Sequence, residues 1–150
     1  MKILILCQIF YPDPSSVGQH MYDLAHGLIK KKNQVTVVAS RNDSNKFSKT
    51  YKKEEKFKGI NIIRYRNLIG NKKNMVNRFI NQITFSLQIL YAGLFFKYDK
   101  LILTTNPIFS PVIGSIIYFI RRKKIYFWVM DINPDEAIAA GVINKNLLTK

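Results

Sequence analysis

Residues 2–10 are apolar with one polar break, at Gln8, as expected of a strand covered on both faces. A turn rich in Pro and Ser follows over residues 11–16. Ser16 and Gln19 stand three apart, the spacing of a capping box, so a helix is expected to start there. Val17, Met21, Leu24, Ala25 and Leu28 then share one helical face, and Lys30, Lys31 and Lys32 close the helix, where positive charge suits its carbonyl end. Residues 34–40 form a second strand, built on Val35, Val37 and Val38. Strand, helix and strand within the first 40 residues are the repeating unit of a parallel sheet.

The rest of the chain continues the alternation. Residues 41–58 are polar and charged without a period and are expected to be a loop. Residues 60–66 predict a strand nearer an edge. Residues 75–97 predict a long helix, with Val76, Phe79, Ile80, Ile83, Leu87, Leu90 and Leu94 on one face. Phe85, Ile89, Ala92 and Phe96 form a second apolar face in its last turns. A strand over 100–105, a helix over 108–122 and a strand over 124–130 follow, then a short helix over 135–140 stopped by Gly141. No repeat or linker interrupts the chain. The pattern predicts an α/β fold with a doubly wound, mostly parallel, Rossmann-like sheet. Ligands of such sheets bind beyond the carboxyl ends of the strands, where residues 10–18, 104–107 and 131–135 fall.

Charge narrows the partners. The 24 basic and 9 acidic residues leave a net charge of +15, which favours phosphates, anionic lipid or nucleic acid. Cys7 is the only cysteine, so neither a disulfide framework nor a cysteine zinc site can form, as in a reducing compartment. The start of the chain does not read as a signal peptide, because Gln8 and the Tyr11–Pro14 turn end its apolar run without a small-residue cleavage site. No segment reaches the ~18 apolar residues of a membrane span. The two closest, residues 83–96 and 108–120, read as buried or interfacial helices.

Gly18, just inside a helix start, lets a phosphate approach the backbone N–H groups there, or lets the helix pack closely on its strand. Asp131 ends a strand at the binding edge, where a carboxylate can hold a hydroxyl and accept its proton during attack. Asp135 follows Pro134 at a helix start and serves either a ligand or the helix cap. His20 lies near the ligand edge, His26 reads as surface and Trp128 as core. The two histidines make no metal site. A dinucleotide-binding dehydrogenase is excluded by the single Gly and by a second strand ending in Ala39 and Ser40. Ser15, Ser16 and Ser110 lie in no nucleophile-elbow pattern.

In order along the chain, the Lys2–Leu6 opening, the Phe10-Tyr-Pro-Asp-Pro-Ser-Ser-Val-Gly18 loop, Tyr22–Ala25, Val35–Val38, Leu101–Pro107 and Asp131-Ile-Asn-Pro-Asp-Glu-Ala-Ile-Ala-Ala-Gly141 resemble the start of the retaining glycosyltransferase family 4, of GT-B fold. The last stretch is similar to that of the branch making capsule, O-antigen and exopolysaccharide. The resemblance implies that residues 1–150 are a truncated N-terminal, acceptor-binding domain, and that a C-terminal domain binding most of the nucleotide-sugar donor is absent. It implies Asp131 near the reaction centre and Gly18 near the donor diphosphate, with Ser16 where a second Gly is common. Ser16, His20, Thr105, Asn106 and Asp135 are then expected to line the acceptor, with no metal and no further cofactor. Gly18 and Asp131 should confront one crevice. The implied partners are a nucleotide-sugar, a lipid-linked sugar acceptor and an anionic membrane surface, at the inner face of the cell membrane. The fragment alone is expected to be inactive. The alternative is a non-catalytic subunit docking a partner chain to membrane or acceptor. Nucleic acid is disfavoured because Phe85, Tyr91, Phe95 and Phe96 sit in an apolar helix rather than on a strand platform.

Overall fold

Strand β1 (Lys2–Leu6) is apolar on both sides because it lies inside the sheet and is covered on both. The computed structural model describes residues 1–43, 50–67 and 75–129. The sheet also contains β2 (Gln34–Ser40), β3 (Glu54–Phe57), β4 (Ile60–Tyr65), β5 (Lys100–Thr104) and β6 (Ile125–Trp128), in the order β3-β4-β2-β1-β5-β6. Every pairing is parallel except β3 with β4. The helices are α1 (Ser16–Lys30), α2 (Met75–Phe95) and α3 (Ser110–Arg121). The fold is thus α/β with a mostly parallel six-stranded sheet, compatible with a Rossmann-like architecture.

Alternation along the strands divides the core in two. Ile3, Ile5 and Cys7 join Val35, Val37, Ala39, Ile60 and Ile62 against Met21 and Ala25 of α1. Leu4 and Leu6 join Val38, Leu101 and Leu103 against Phe85, Ile89 and Ala92 of α2 and Ile113 and Ile117 of α3. Helices α2 and α3 touch closely at Gly93, where an added Cβ would stand 2.3 Å from Ile117 Cδ1.

Three expectations need correction, and one open question is settled. The stretch read as a loop contains β3, which forms the sheet edge, and Asn42 bridges Thr50. Its charged sequence fits a short edge strand whose outer side meets water. Helix α1 is capped by Ser15 rather than Ser16: Ser15 Oγ accepts from the Gly18 N–H at 3.1 Å. Either serine could serve in a Ser-Ser pair, and the Gly18 contact selects the first. Trp128 is 40% exposed rather than core. On α2, the shorter apolar face packs inward, while Val76, Phe79, Ile80, Ile83 and Leu87 of the longer stripe are exposed.

Candidate functional site

Parallel pairing brings the carboxyl ends of β1, β2, β4 and β5 to one edge. The ladder continues past β1, with Ser40 N–H donating to Gln8 O at 2.9 Å, so Gln8 is held at that edge. Asn67 stands just beyond β4, and its N–H donates to Asn42 Oδ1 beyond β2 at 3.2 Å. Helix α2 begins at the same edge and contributes Arg78, Asn81 and Gln82. Gln8, Asn67, Arg78, Asn81 and Gln82 enclose a hollow of about 250 Å³. Gln82 Nε2 lies 3.4 Å from both Gln8 Oε1 and Asn106 Oδ1, which joins the loop after β5 to the cluster.

Among the described residues the lining is made of side-chain amides and one guanidinium. Asn67 and Asn81 are buried, and the Asn67 Oδ1 and Gln82 Oε1 atoms are buried without a hydrogen-bond partner. A buried acceptor left unmatched costs about 1–3 kcal/mol, which a ligand hydroxyl or N–H can recover. Amides both donate and accept, as sugar hydroxyls do. Among the described residues its lining includes no carboxylate, so these side chains can bind and orient a ligand but supply no base. A larger hollow of about 610 Å³ lies around Lys2, Gln34, Asn61 and Phe96, towards the amino ends of the strands. None of its described lining residues carries an unmatched buried polar atom, and it sits away from the edge at which sheets of this type take ligands.

The first loop is anchored beside this edge by Arg64, which sequence inspection treats as one more basic residue. Arg64 is fully buried in β4. Its Nη1 donates to Glu55 Oε1 at 2.5 Å and its Nη2 to Tyr11 O at 2.7 Å. The guanidinium also lies 5.3 Å from the centre of the Tyr51 ring. Tyr51 OH donates to Asp43 Oδ2 at 2.6 Å, and burial, then the Asp43 carboxylate, push the phenol above its ordinary range. Burial likewise pushes the Cys7 thiol up to about 12, which makes it a core side chain rather than a nucleophile.

Gly18 is buried in the first turn of α1, where an added Cβ would lie 3.2 Å from Asp13 O and 3.4 Å from the Phe10 carbonyl carbon. Close packing of the helix start on the loop therefore accounts for the glycine. Its N–H is taken by Ser15 Oγ, so any phosphate contact falls to the neighbouring first-turn amides of Ser16 and Val17. Ser16 and His20 are exposed on the first turns of α1. His26 is half-buried, with its ring stacked 5.7 Å from that of Tyr22. Thr105 and Asn106 are half-buried in the loop after β5, braced by Thr104 Oγ1 donating to Asn106 O at 2.9 Å. Among the described residues singled out by sequence, Asn106 meets the amide cluster, through Gln82. Asp131 and Asp135 lie outside the described residues, as does the expected meeting of Gly18 with Asp131. Among the described residues no group of His, Cys, Asp and Glu could hold a metal ion. No protein-family model matches the sequence, and no curated protein matches it.

Proposed function

We propose that the chain is the acceptor-binding part of a retaining glycosyltransferase that moves a sugar from a nucleotide-sugar to a lipid-linked glycan. Its sheet is taken as the doubly wound half of a two-domain enzyme, with the donor held mainly by the other half. The observation that carries the proposal is the amide-lined hollow at the carboxyl edge, with two buried oxygens awaiting partners. At about 250 Å³ it falls below the ~300–1,000 Å³ of drug-sized sites, which suits one sugar ring rather than a whole nucleotide.

In this proposal Asn67, Asn81, Gln82 and Asn106 orient the acceptor sugar by its hydroxyls, and Arg78 meets the phosphate that links it to lipid. Asp131 accepts the proton of the attacking hydroxyl, and the start of α1 faces the donor diphosphate. Ser16, His20, Thr105 and Asp135 complete the acceptor side. A lipid-linked acceptor places the reaction at a membrane, with the protein peripheral on its inner face.

The test is transfer from labelled nucleotide-sugars into a lipid extract by the intact gene product. Label should enter the lipid fraction and fall at least tenfold with Asn67→Leu, as loss of one or two hydrogen bonds to substrate implies. Unchanged transfer by Asn67→Leu removes the hollow from the mechanism, and absence of transfer with every nucleotide-sugar removes the enzyme assignment.

A further inference from the structure

Strands β2 and β4 lie inside the sheet, and an interior strand of a parallel sheet is normally apolar on both faces. One face of each obeys that rule: Val35, Val37, Ile60 and Ile62 are buried in the core beneath α1. The other face, near the amino ends, carries Gln34, Thr36 and Asn61. Register pairs Leu4 with Thr36, Thr36 with Asn61 and Asn61 with Lys56, so these side chains form one row on the face that carries α2 and α3. Gln34 and Asn61 are exposed and Thr36 is half-buried. The row floors the hollow of about 610 Å³, which Phe96 and Lys97 border from the end of α2. Polar side chains at positions that a covered sheet gives to Val or Ile mark a face that meets water or a polar ligand.

Charge identifies the ligand as an anion. Lys2, Lys56 and Lys97 line the hollow and are exposed. Of the two acids among the described lining residues, Glu55 alternates to the opposite face, where Arg64 holds it, and Glu54 lies 3.9 Å from Lys53. The turns entering β2, β5 and β6 at the same edge add Lys30, Lys31, Lys32 and the basic run at residues 121–124. The acid of those turns, Asp99, accepts from the Lys2 N–H at 2.7 Å. The floor supplies neutral contacts: the Gln34 and Asn61 amides and the Thr36 hydroxyl all donate and accept, and neighbouring strands set them about 4.8 Å apart. Ammonium groups on the rim with amides and a hydroxyl on the floor match a glycan whose rings carry both carboxylates and hydroxyls. The volume lies within the ~300–1,000 Å³ of ligand sites. An acidic protein fits worse, because lysine is depleted at protein interfaces. A nucleic-acid strand fits worse, because Phe96 is the one aromatic side chain among the described lining residues and is half-buried, which leaves successive bases nothing to stack on. A second copy of the chain is opposed by +15 on each.

We propose that this open face of β1, β2, β4 and β3 binds an acidic oligosaccharide, its carboxylates meeting the lysines and its hydroxyls the polar floor. The site lies towards the opposite edge of the sheet from the amide-lined hollow and does not depend on the sugar-transfer reading.

The test is isothermal titration calorimetry of the full chain with tetragalacturonate, with maltotetraose as the neutral counterpart. The uronate should bind, weaken as salt is added, and exceed maltotetraose by about tenfold or more. Lys56→Gln with Lys97→Gln should lower its affinity about fivefold, as loss of two exposed ion pairs implies. Lys30→Gln with Lys31→Gln removes the same charge from the end of α1, on the other face, and should change it by less than about twofold. Asn61→Ala should lower it about fivefold through lost hydrogen bonds. All five side chains are exposed, so far-UV circular dichroism should stay unchanged. Absence of uronate binding, equal binding of maltotetraose, equal losses from the two lysine pairs, or tighter binding of polyphosphate or of an oligonucleotide than of the uronate overturns the proposal.

Discussion

Replacing Arg64 with methionine removes the charge that ties the first loop to the sheet. The substitution deletes a 2.5 Å bond to Glu55 and a 2.7 Å bond to Tyr11 O from a fully buried position. Breaking a buried ion pair from one side costs about 3–5 kcal/mol when the other charge stays buried. Glu55 keeps 30% of its side chain exposed and can rehydrate, which lowers that cost. The Tyr11 carbonyl, left without its donor, adds about 1 kcal/mol. The balance is a loss of about 3 kcal/mol, or roughly 6–12 °C in the unfolding midpoint of a chain this size. Adding Glu55→Met removes the stranded carboxylate, and because apolar replacement of a whole pair is often near neutral, about 2 of those 3 kcal/mol should return. Urea unfolding followed by far-UV circular dichroism measures both variants. If Arg64→Met lies within about 0.5 kcal/mol of the parent, or the double variant is as unstable as the single one, the pair does not anchor the loop as described.

Other substitutions probe separate parts of the structure. Gly93→Ala should destabilise by about 1 kcal/mol, overpacking against Ile117 outweighing the helix-propensity gain, and Ile117→Val should relieve it by removing the Cδ1 atom that stands 2.3 Å from the added Cβ. Alkaline pH should weaken the fold through Cys7. Its folded value is raised, so its contribution is complete below about 9, its ordinary value, and is lost as pH rises towards about 12. The slope from this thiol alone is at most about 1.4 kcal/mol per pH unit, and comparison with Cys7→Ala isolates it. Asn67→Leu should leave stability within about 1 kcal/mol of the parent or raise it, because an unmatched buried oxygen is removed along with one amide.

The strands and helices were legible because period and composition agree. The apolar runs at residues 2–10 and 34–40 read as strands, and the structure pairs them in parallel, with the first ending earlier, at Leu6. Strand β3 was hidden because Glu54, Glu55 and Lys56 carry the charge of an edge and resemble a loop. The orientation of α2 was ambiguous because both of its faces are apolar, and burial alone shows which one the sheet takes. Of the amide cluster, Asn106 alone was singled out from the sequence. Gln8, Asn67, the adjacent Asn81 and Gln82, and Asn106 are far apart in sequence, and the strand order brings them together. Arg64 was obscured in the same way, since its partners Glu55 and Tyr11 come from separate elements.

The hollow's claim on a sugar is tested most directly by side-chain amide NMR of the labelled chain during titration with methyl hexopyranosides. The NH₂ resonances of Asn67, Gln82 and Asn106 should shift together along one saturating curve, and Asn67→Leu should abolish the curve while leaving the remaining spectrum in place. Side-chain amides that stay still at saturating sugar, or shifts that survive Asn67→Leu unchanged, would contradict the account.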